Sequence, residues 1–176
     1  GDAAWCIGIE SQAATGWPAT DWVEEMMLRT TSPENYDKWV TGELKFDSPE
    51  VRKAMETVEK IWFTDGYVYG GRGAIATTAF GDAPKPMFEN PPKCWLHKQG
   101  NFITTFFPEN LVAGEDYDFF YLPGVDPAYG SPVLGAGDIY AMFDDRPEVR
   151  AVMQYFSTGA SIEGWVKAGG AIAPYK

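Results

Sequence analysis

Apolar and polar positions along the chain switch between two periods. Residues 3–10 (AAWCIGIE) form a short, nearly continuous apolar run closed by a carboxylate, the pattern of a buried strand, and the loop Ser11 to Gly16 follows. The spacing then changes. Trp22, Met26 and Met27 fall at i, i+4 and i+5, which gives a helix one apolar face; Pro18 suits its first turn, and Asp21 and Glu24 lie near its positive end. Ser32-Pro33-Glu34 and Ser48-Pro49-Glu50 repeat one start signal, a Ser N-cap with Pro at the first helical position and an acid at the second. After the second signal, Val51, Ala54, Met55, Val58, Ile61 and Trp62 make the clearest helical stripe in the chain, with charged residues on the opposite face.

Asp65-Gly66 and the glycines at 70, 71 and 73 then mark an irregular stretch, with a short helical piece expected near Ile75 to Phe80. Pro84, Pro86, Pro91 and Pro92 interrupt the chain before a strand at Lys93 to His97, which leads into the loop Lys98 to Asn101. Tyr117 to Leu122 reads as another apolar strand. A Gly/Pro-rich link from Pro123 to Pro132 leads to Val133 to Phe143, Asp145-Arg146-Pro147-Glu148 starts a further capped helix, and the end is helical as far as Gly169-Gly170. Strands that alternate with helices predict an α/β fold with a largely parallel, helix-covered sheet. Ligands in such folds sit at the carboxyl ends of strands, which draws attention to loops 11–17, 98–102 and 134–138.

Composition narrows the function. Of 176 residues, 45% are hydrophobic and 15% aromatic, including seven Trp, so disorder and coiled coil are excluded. A formal net charge of -11 opposes nucleic acid and docking on anionic lipid, and suits a neutral small molecule. No apolar run reaches the 18 or so residues a membrane-spanning helix needs, so direct membrane insertion is not expected. The opening Gly1-Asp2 has no Met, basic segment or signal-like apolar region, and runs almost at once into the first strand; the expected reading is a stretch cut from a larger protein. The two cysteines, Cys6 and Cys94, each lie in a strand-like segment. Paired, they would close a loop of about 88 residues, a stabilisation of roughly 4 to 5 kcal/mol by loop entropy, and would imply an oxidising compartment. Two buried thiols are the alternative.

Catalytic groupings are weak. Glu24/Glu25 read as a solvated first turn and Asp144/Asp145 as a helix cap, since adjacent helical residues point about 100° apart and make a poor glycosidase dyad. The single histidine, His97, reads as a polar strand end with neither nucleophile elbow nor metal-ligand spacing around it. Gly70-Gly71-Arg72-Gly73 and Gly135-Ala136-Gly137 lack the phosphate-loop fingerprints and read as turns. No cofactor or metal is expected. What remains is Trp17 in a loop with Glu10, Ser11, Gln12 and Thr15, and a second group of Gln99, Asn101 and Phe102: aromatic faces beside amides and carboxylates, the chemistry that holds a neutral sugar.

Three stretches carry a resemblance: WCIGIESQAATGWPATDW (5–22), GDAPKPMFENPPKCWLHKQGNF (81–102) and VLGAGDIYAMFDDRPEVRAVMQYFSTGASIEGWVKAGGAIAPYK (133–176). With these the sequence resembles the extracellular solute-binding proteins of bacterial ABC importers, and within them the alpha-glucoside-binding periplasmic proteins. The resemblance runs nearly end to end. It implies a type II periplasmic binding protein-like lobe with an incomplete second lobe: 1–116 as the ligand-binding C-terminal lobe, 117–132 as hinge strand and link, and 133–176 as a part returning to the N-terminal lobe. It implies a periplasmic or extracytoplasmic location, an alpha-glucoside as ligand and ABC permease subunits as partners. By position, Glu10, Gln12, Thr15, Trp17 and Asp21, then Gln99, Asn101 and Phe102, then Gly135, Gly137 and Asp138, would face the cleft.

A stretch of this kind on its own is expected to bind maltose-like sugars weakly or not at all, and to cover its exposed apolar surface by self-association. Two other functions compete. A fragment of a carbohydrate-active enzyme needs a carboxylate whose loss abolishes turnover, and a carbohydrate-binding module needs a flat exposed aromatic row.

Overall fold

A computed structural model describes residues 3–173; Gly1 and Asp2, where the opening of the chain was read, and Pro174 to Lys176, which close the third resemblance stretch, lie outside the described residues. The chain packs as two units. One comprises the residues up to Lys98 together with Pro108–Leu134, the other Gln99–Phe107 together with the residues from Gly135 onward.

The first unit is α/β. Strand β1, Ala3–Trp5, pairs in parallel with β2, Cys94–Leu96, in the register Ala3 to Cys94 and Trp5 to Leu96. A parallel bridge from Trp5 to Val68 flanks β1 on its other side. The predicted strand 3–10 is therefore longer than β1, for a definable reason: beyond Cys6, whose N–H still reaches the Leu96 carbonyl at 2.8 Å, the chain changes partner. Ile9 N–H donates to the Ile75 carbonyl at 2.9 Å, and Glu10 bonds Thr78 and Phe80. Gly8 makes that switch possible, because a Cβ there would meet the Thr78 carbonyl oxygen at 2.5 Å. The short helix expected at Ile75 to Phe80 is found one turn earlier, as α4, Gly71–Ile75; residues 75–80 are used instead as the second partner of the first chain segment.

Three helices cover this sheet. α1 is Trp17–Thr30, α2 Pro33–Val40 and α3 Pro49–Trp62. Both Ser-Pro-Glu signals act as read: Ser32 Oγ accepts from Asn35 N–H at 3.2 Å and Ser48 Oγ from Val51 N–H at 3.3 Å, while Pro fills the first helical position and Glu the second. The helical stripe of α3 buries Val51, Ala54, Val58 and Trp62 against Trp22, Met26 and Met27 of α1; Met55 and Ile61 form its less buried margins. Trp22 is the centre of the core, with edge-to-face contacts to Trp5 at 5.3 Å and Trp62 at 5.9 Å between ring centroids. Cys6 and Cys94, on adjacent chains with Cα atoms 5.6 Å apart, are joined as a disulfide.

One predicted strand is absent. Tyr117 to Leu122 has the apolar composition of a strand but joins no ladder, and Phe119 is 92% exposed. A buried strand needs a ladder partner for its backbone groups, and among the described residues the one backbone bridge to this run is from Ala113 to Tyr117. Val133 to Phe143 also forms no strand, with Ile139 and Phe143 93% and 97% exposed.

The second unit carries α5, Pro147–Phe156, and α6, Gly159–Lys167, with a 3₁₀ turn at Asn101–Phe106 that buries Ile103. Asp144 and Asp145 do not cap α5. Its N-cap is Arg146, without a side-chain cap, and the two acids pair with arginines instead: Asp144 with Arg146 Nε at 2.8 Å, and Asp145 with the guanidinium of Arg150. The Asp145–Arg150 pair is a fork, in which the second bond is 2.6 Å.

Candidate functional site

The loop after β1 is built by its own side chains. Glu10 Oε1 accepts from Gln12 N–H at 2.6 Å, Thr15 Oγ1 accepts from Ser11 N–H at 2.9 Å, and the same hydroxyl donates to the Gln12 carbonyl at 2.7 Å. These bonds hold Gln12 at φ 51°, a left-handed conformation uncommon for a residue other than glycine. Gly16, at φ 107°, turns the chain into α1 and donates to the Ile9 carbonyl at 3.0 Å. Trp17 then opens the helix, half-buried, with its ring edge-to-face on Phe80 at 5.1 Å. Gln12 and Thr15 are exposed, and Glu10 and Asp21 half-buried. This part of the predicted site is a rigid, locally bonded loop, with Thr15 and Glu10 fixing the backbone.

Asp21 heads a face of α1 that continues, four residues at a time, through Glu25 and Arg29. Its carboxyl is pushed above the usual range, first by burial and then by Glu24 and Glu25, against the pull of Lys98. Lys98 ends the first segment of the first unit. Its amine lies 5.8 Å from the centroid of the Trp22 ring, and burial pushes it below the ordinary lysine range, partly offset by Glu25 and Asp21.

Glu24 and Glu25 are not a solvated first turn. Glu25, 14% exposed, forms an ion pair with Arg29, and Glu24 accepts from the Tyr36 hydroxyl at 3.0 Å. Burial, then that hydrogen bond, push the Tyr36 hydroxyl up to about 12. The pairing fits the buried guanidinium of Arg29, which is 2% exposed and needs a carboxylate beside it. Arg29 also donates to the Leu122 carbonyl at 3.0 Å and the Pro123 carbonyl at 3.2 Å, so it fastens the end of the 117–123 run to α1.

His97 is more than a polar strand end. Its Nδ1 donates to the Cys6 carbonyl at 2.8 Å and so ties β2 to the disulfide. Nε2 is buried with no hydrogen-bond partner among the described residues, and burial holds the imidazole below its ordinary pKa.

The remaining predicted residues fall in the second unit. Asn101 and Phe102 start its 3₁₀ turn, with Asn101 exposed and Phe102 half-buried. Gln99 Oε1 accepts from Gly100 N–H at 2.9 Å. Gly135, Gly137 and Asp138 lie in an exposed stretch without secondary structure. Two concavities among the described residues involve none of the predicted ones: one of 370 Å³ between α1 and α3, lined by Ala19, Val23, Met55 and Trp62, and one of 240 Å³ beside α6.

Sequence reasoning missed Lys98, Arg29 and Tyr36. Arg29 was detectable, since a charged residue inside the apolar stretch Met26–Thr30, four residues after Glu25, calls for a buried pair. Lys98 was not, because only the fold brings it to the Trp22 ring.

Chemically, the first unit offers fixed acceptors, donors and an indole beside a rigid loop, suited to holding a neutral polar ligand. Among the described residues no group of three or more His, Cys, Asp or Glu is placed to hold a metal ion, and no helix is long and apolar enough to cross a membrane.

Two curated relatives match the whole of this chain. The alpha-glucosides-binding periplasmic protein AglE of Rhizobium meliloti (strain 1021) is 48% identical over 180 residues, which make up 39% of that protein. The osmoprotective compounds-binding protein GgtB of Synechocystis sp. (strain ATCC 27184 / PCC 6803 / Kazusa) is 44% identical over 176 residues, 42% of its length. The chain thus spans about two fifths of the relatives it matches, and it is homologous to both from end to end. No family model matches it, and no solved structure does.

Proposed function

We propose that this chain, homologous along its whole length to solute-binding proteins, is part of a non-catalytic receptor that captures an alpha-glucoside and delivers it to the permease of an ABC importer. The observation that carries the reading is the 48% identity, across all of the chain, to a protein named for binding alpha-glucosides in the periplasm. The chemistry of the first unit agrees with it. A half-buried tryptophan beside a loop stiffened by Glu10 and Thr15 suits the apolar face and the hydroxyls of a pyranose. The Cys6–Cys94 disulfide suits an oxidising, extracytoplasmic compartment.

In this reading 1–116 supplies the C-terminal lobe of a type II periplasmic binding protein fold, 117–132 is the hinge and link, and 133–176 returns toward the other lobe. Glu10, Gln12, Thr15, Trp17 and Asp21 line the cleft from the first loop. Gln99, Asn101, Phe102, Gly135, Gly137 and Asp138 line it from the two later loops. Ligand would favour the closed state through contacts made only when the lobes meet. Exposed side chains such as Phe119, Ile139 and Phe143 favour a second copy as cover when the stretch is isolated.

The match to an osmoprotectant-binding protein favours a second ligand class, small compatible solutes. A thermal-shift panel on the protein as its gene encodes it separates the two. Maltose is expected to raise the melting temperature, and glycine betaine is not. A shift from betaine with none from maltose would move the assignment to the osmoprotectant class.

A further inference from the structure

Two charged groups near Trp22 of α1 have no hydrogen-bonding or ionic partner among the described residues. Neither the Asp21 carboxylate nor the Lys98 amine has a hydrogen bond or an ion pair among the described residues, although both are half-buried. Withdrawing a charge from water without a partner is costly, and folded proteins seldom leave such groups open without a use for them. The same helix face shows the ordinary solution one turn further on, where Glu25 is taken by Arg29. Asp21 and Lys98 have not closed on each other in that way. The Lys98 amine instead rests over the Trp22 ring, which is itself 2% exposed and holds the amine in place without supplying an acceptor.

The surroundings restrict what can fill the gap. A cation would meet Lys98 and Arg29, and an anion would meet Asp21, Glu24 and Glu25. A neutral polyol meets neither objection. One hydroxyl donates to the carboxylate and an adjacent one accepts from the ammonium, each a charge-assisted bond.

We propose that Lys98 is a ligand-binding residue and that, with Asp21, it grips two neighbouring hydroxyls of a neutral sugar. This rests on the alpha-glucoside reading and deepens it by adding a donor near Trp22 of α1. The half-buried, unpartnered pair costs stability while the site is empty, the usual trade-off at a binding site.

The test uses the gene-encoded protein and two variants, Lys98→Met and Lys98→Arg, in calorimetric titrations with maltose and in thermal melts. Lys98→Met is expected to weaken maltose binding tenfold or more while melting at or above the wild-type temperature, and Lys98→Arg to stay within a few-fold of wild type. Wild-type protein that binds maltose, with Lys98→Met binding equally well, would overturn the role of Lys98 and leave the alpha-glucoside reading standing. Wild-type protein that binds no alpha-glucoside would overturn both. A Lys98→Met variant that melts several degrees below wild type marks the amine as structural and overturns the proposal whatever the titration gives.

Discussion

At the scale of single residues, Arg29 carries the most weight. Its guanidinium is enclosed and serves acceptors on three residues at once, the carboxylate and carbonyl of Glu25 and the carbonyls of Leu122 and Pro123, in place of the ladder that 117–122 does not form. Replacing it with Met would strand a carboxylate and two carbonyls in the interior, a loss of about 3–5 kcal/mol for a broken buried pair. Urea denaturation measures this, and a loss under about 1 kcal/mol would show that the 117–123 run is held by other means. His97 gives a pH dependence. Its folded pKa lies below its ordinary value, so its contribution to stability is present above about pH 6.5 and is lost as the pH falls below it. The groups acting on it are the Cys6 carbonyl, which accepts its Nδ1 proton, and the Lys98 amine, which opposes its charge. His97→Asn, whose amide can reach the same carbonyl, should melt with a shallower acid dependence than wild type between pH 7 and 5; parallel curves would contradict the assignment.

At the scale of elements, the parts set by neighbours in sequence were legible and those set by distant partners were not. A Ser cap bonds three residues ahead and a helical stripe repeats every turn, so α2 and α3 begin where Ser32 and Ser48 place them. Removing one cap is a local experiment. Ser48→Ala should cost about 1 kcal/mol by chemical denaturation, because Val51 N–H loses its acceptor at the start of the helix that buries Val51, Ala54 and Val58. Strands depend on a partner elsewhere. The run 3–10 was recognisable as extended, but its change of partner at Gly8 depends on residues 75–80, which periodicity assigns to a helix. Tyr117 to Leu122 shows the limit of pattern, since apolar composition predicts a buried strand only if something pairs with it. Asp144 and Asp145 show another, because nearby arginines took the carboxylates that would have capped α5. At the site, the loop of Glu10, Thr15 and Trp17 was visible as a cluster along the chain, whereas the meeting of Lys98 with α1 exists only after folding.

At the scale of the whole molecule, the two units divide the predicted site: Glu10 to Asp21 belong to the first, and Gln99 to Phe102 with Gly135 to Asp138 to the second. A receptor that captures without reacting should bind through the first loop and return its ligand unchanged. The chain spans about two fifths of its relatives, so the property belongs to the protein as its gene encodes it. The most direct test is calorimetric titration of that protein with maltose, followed by analysis of the recovered sugar. Capture without reaction predicts saturable heat with a dissociation constant on the order of micromolar and maltose recovered intact. No heat with maltose or any other alpha-glucoside, or release of free glucose, would contradict it.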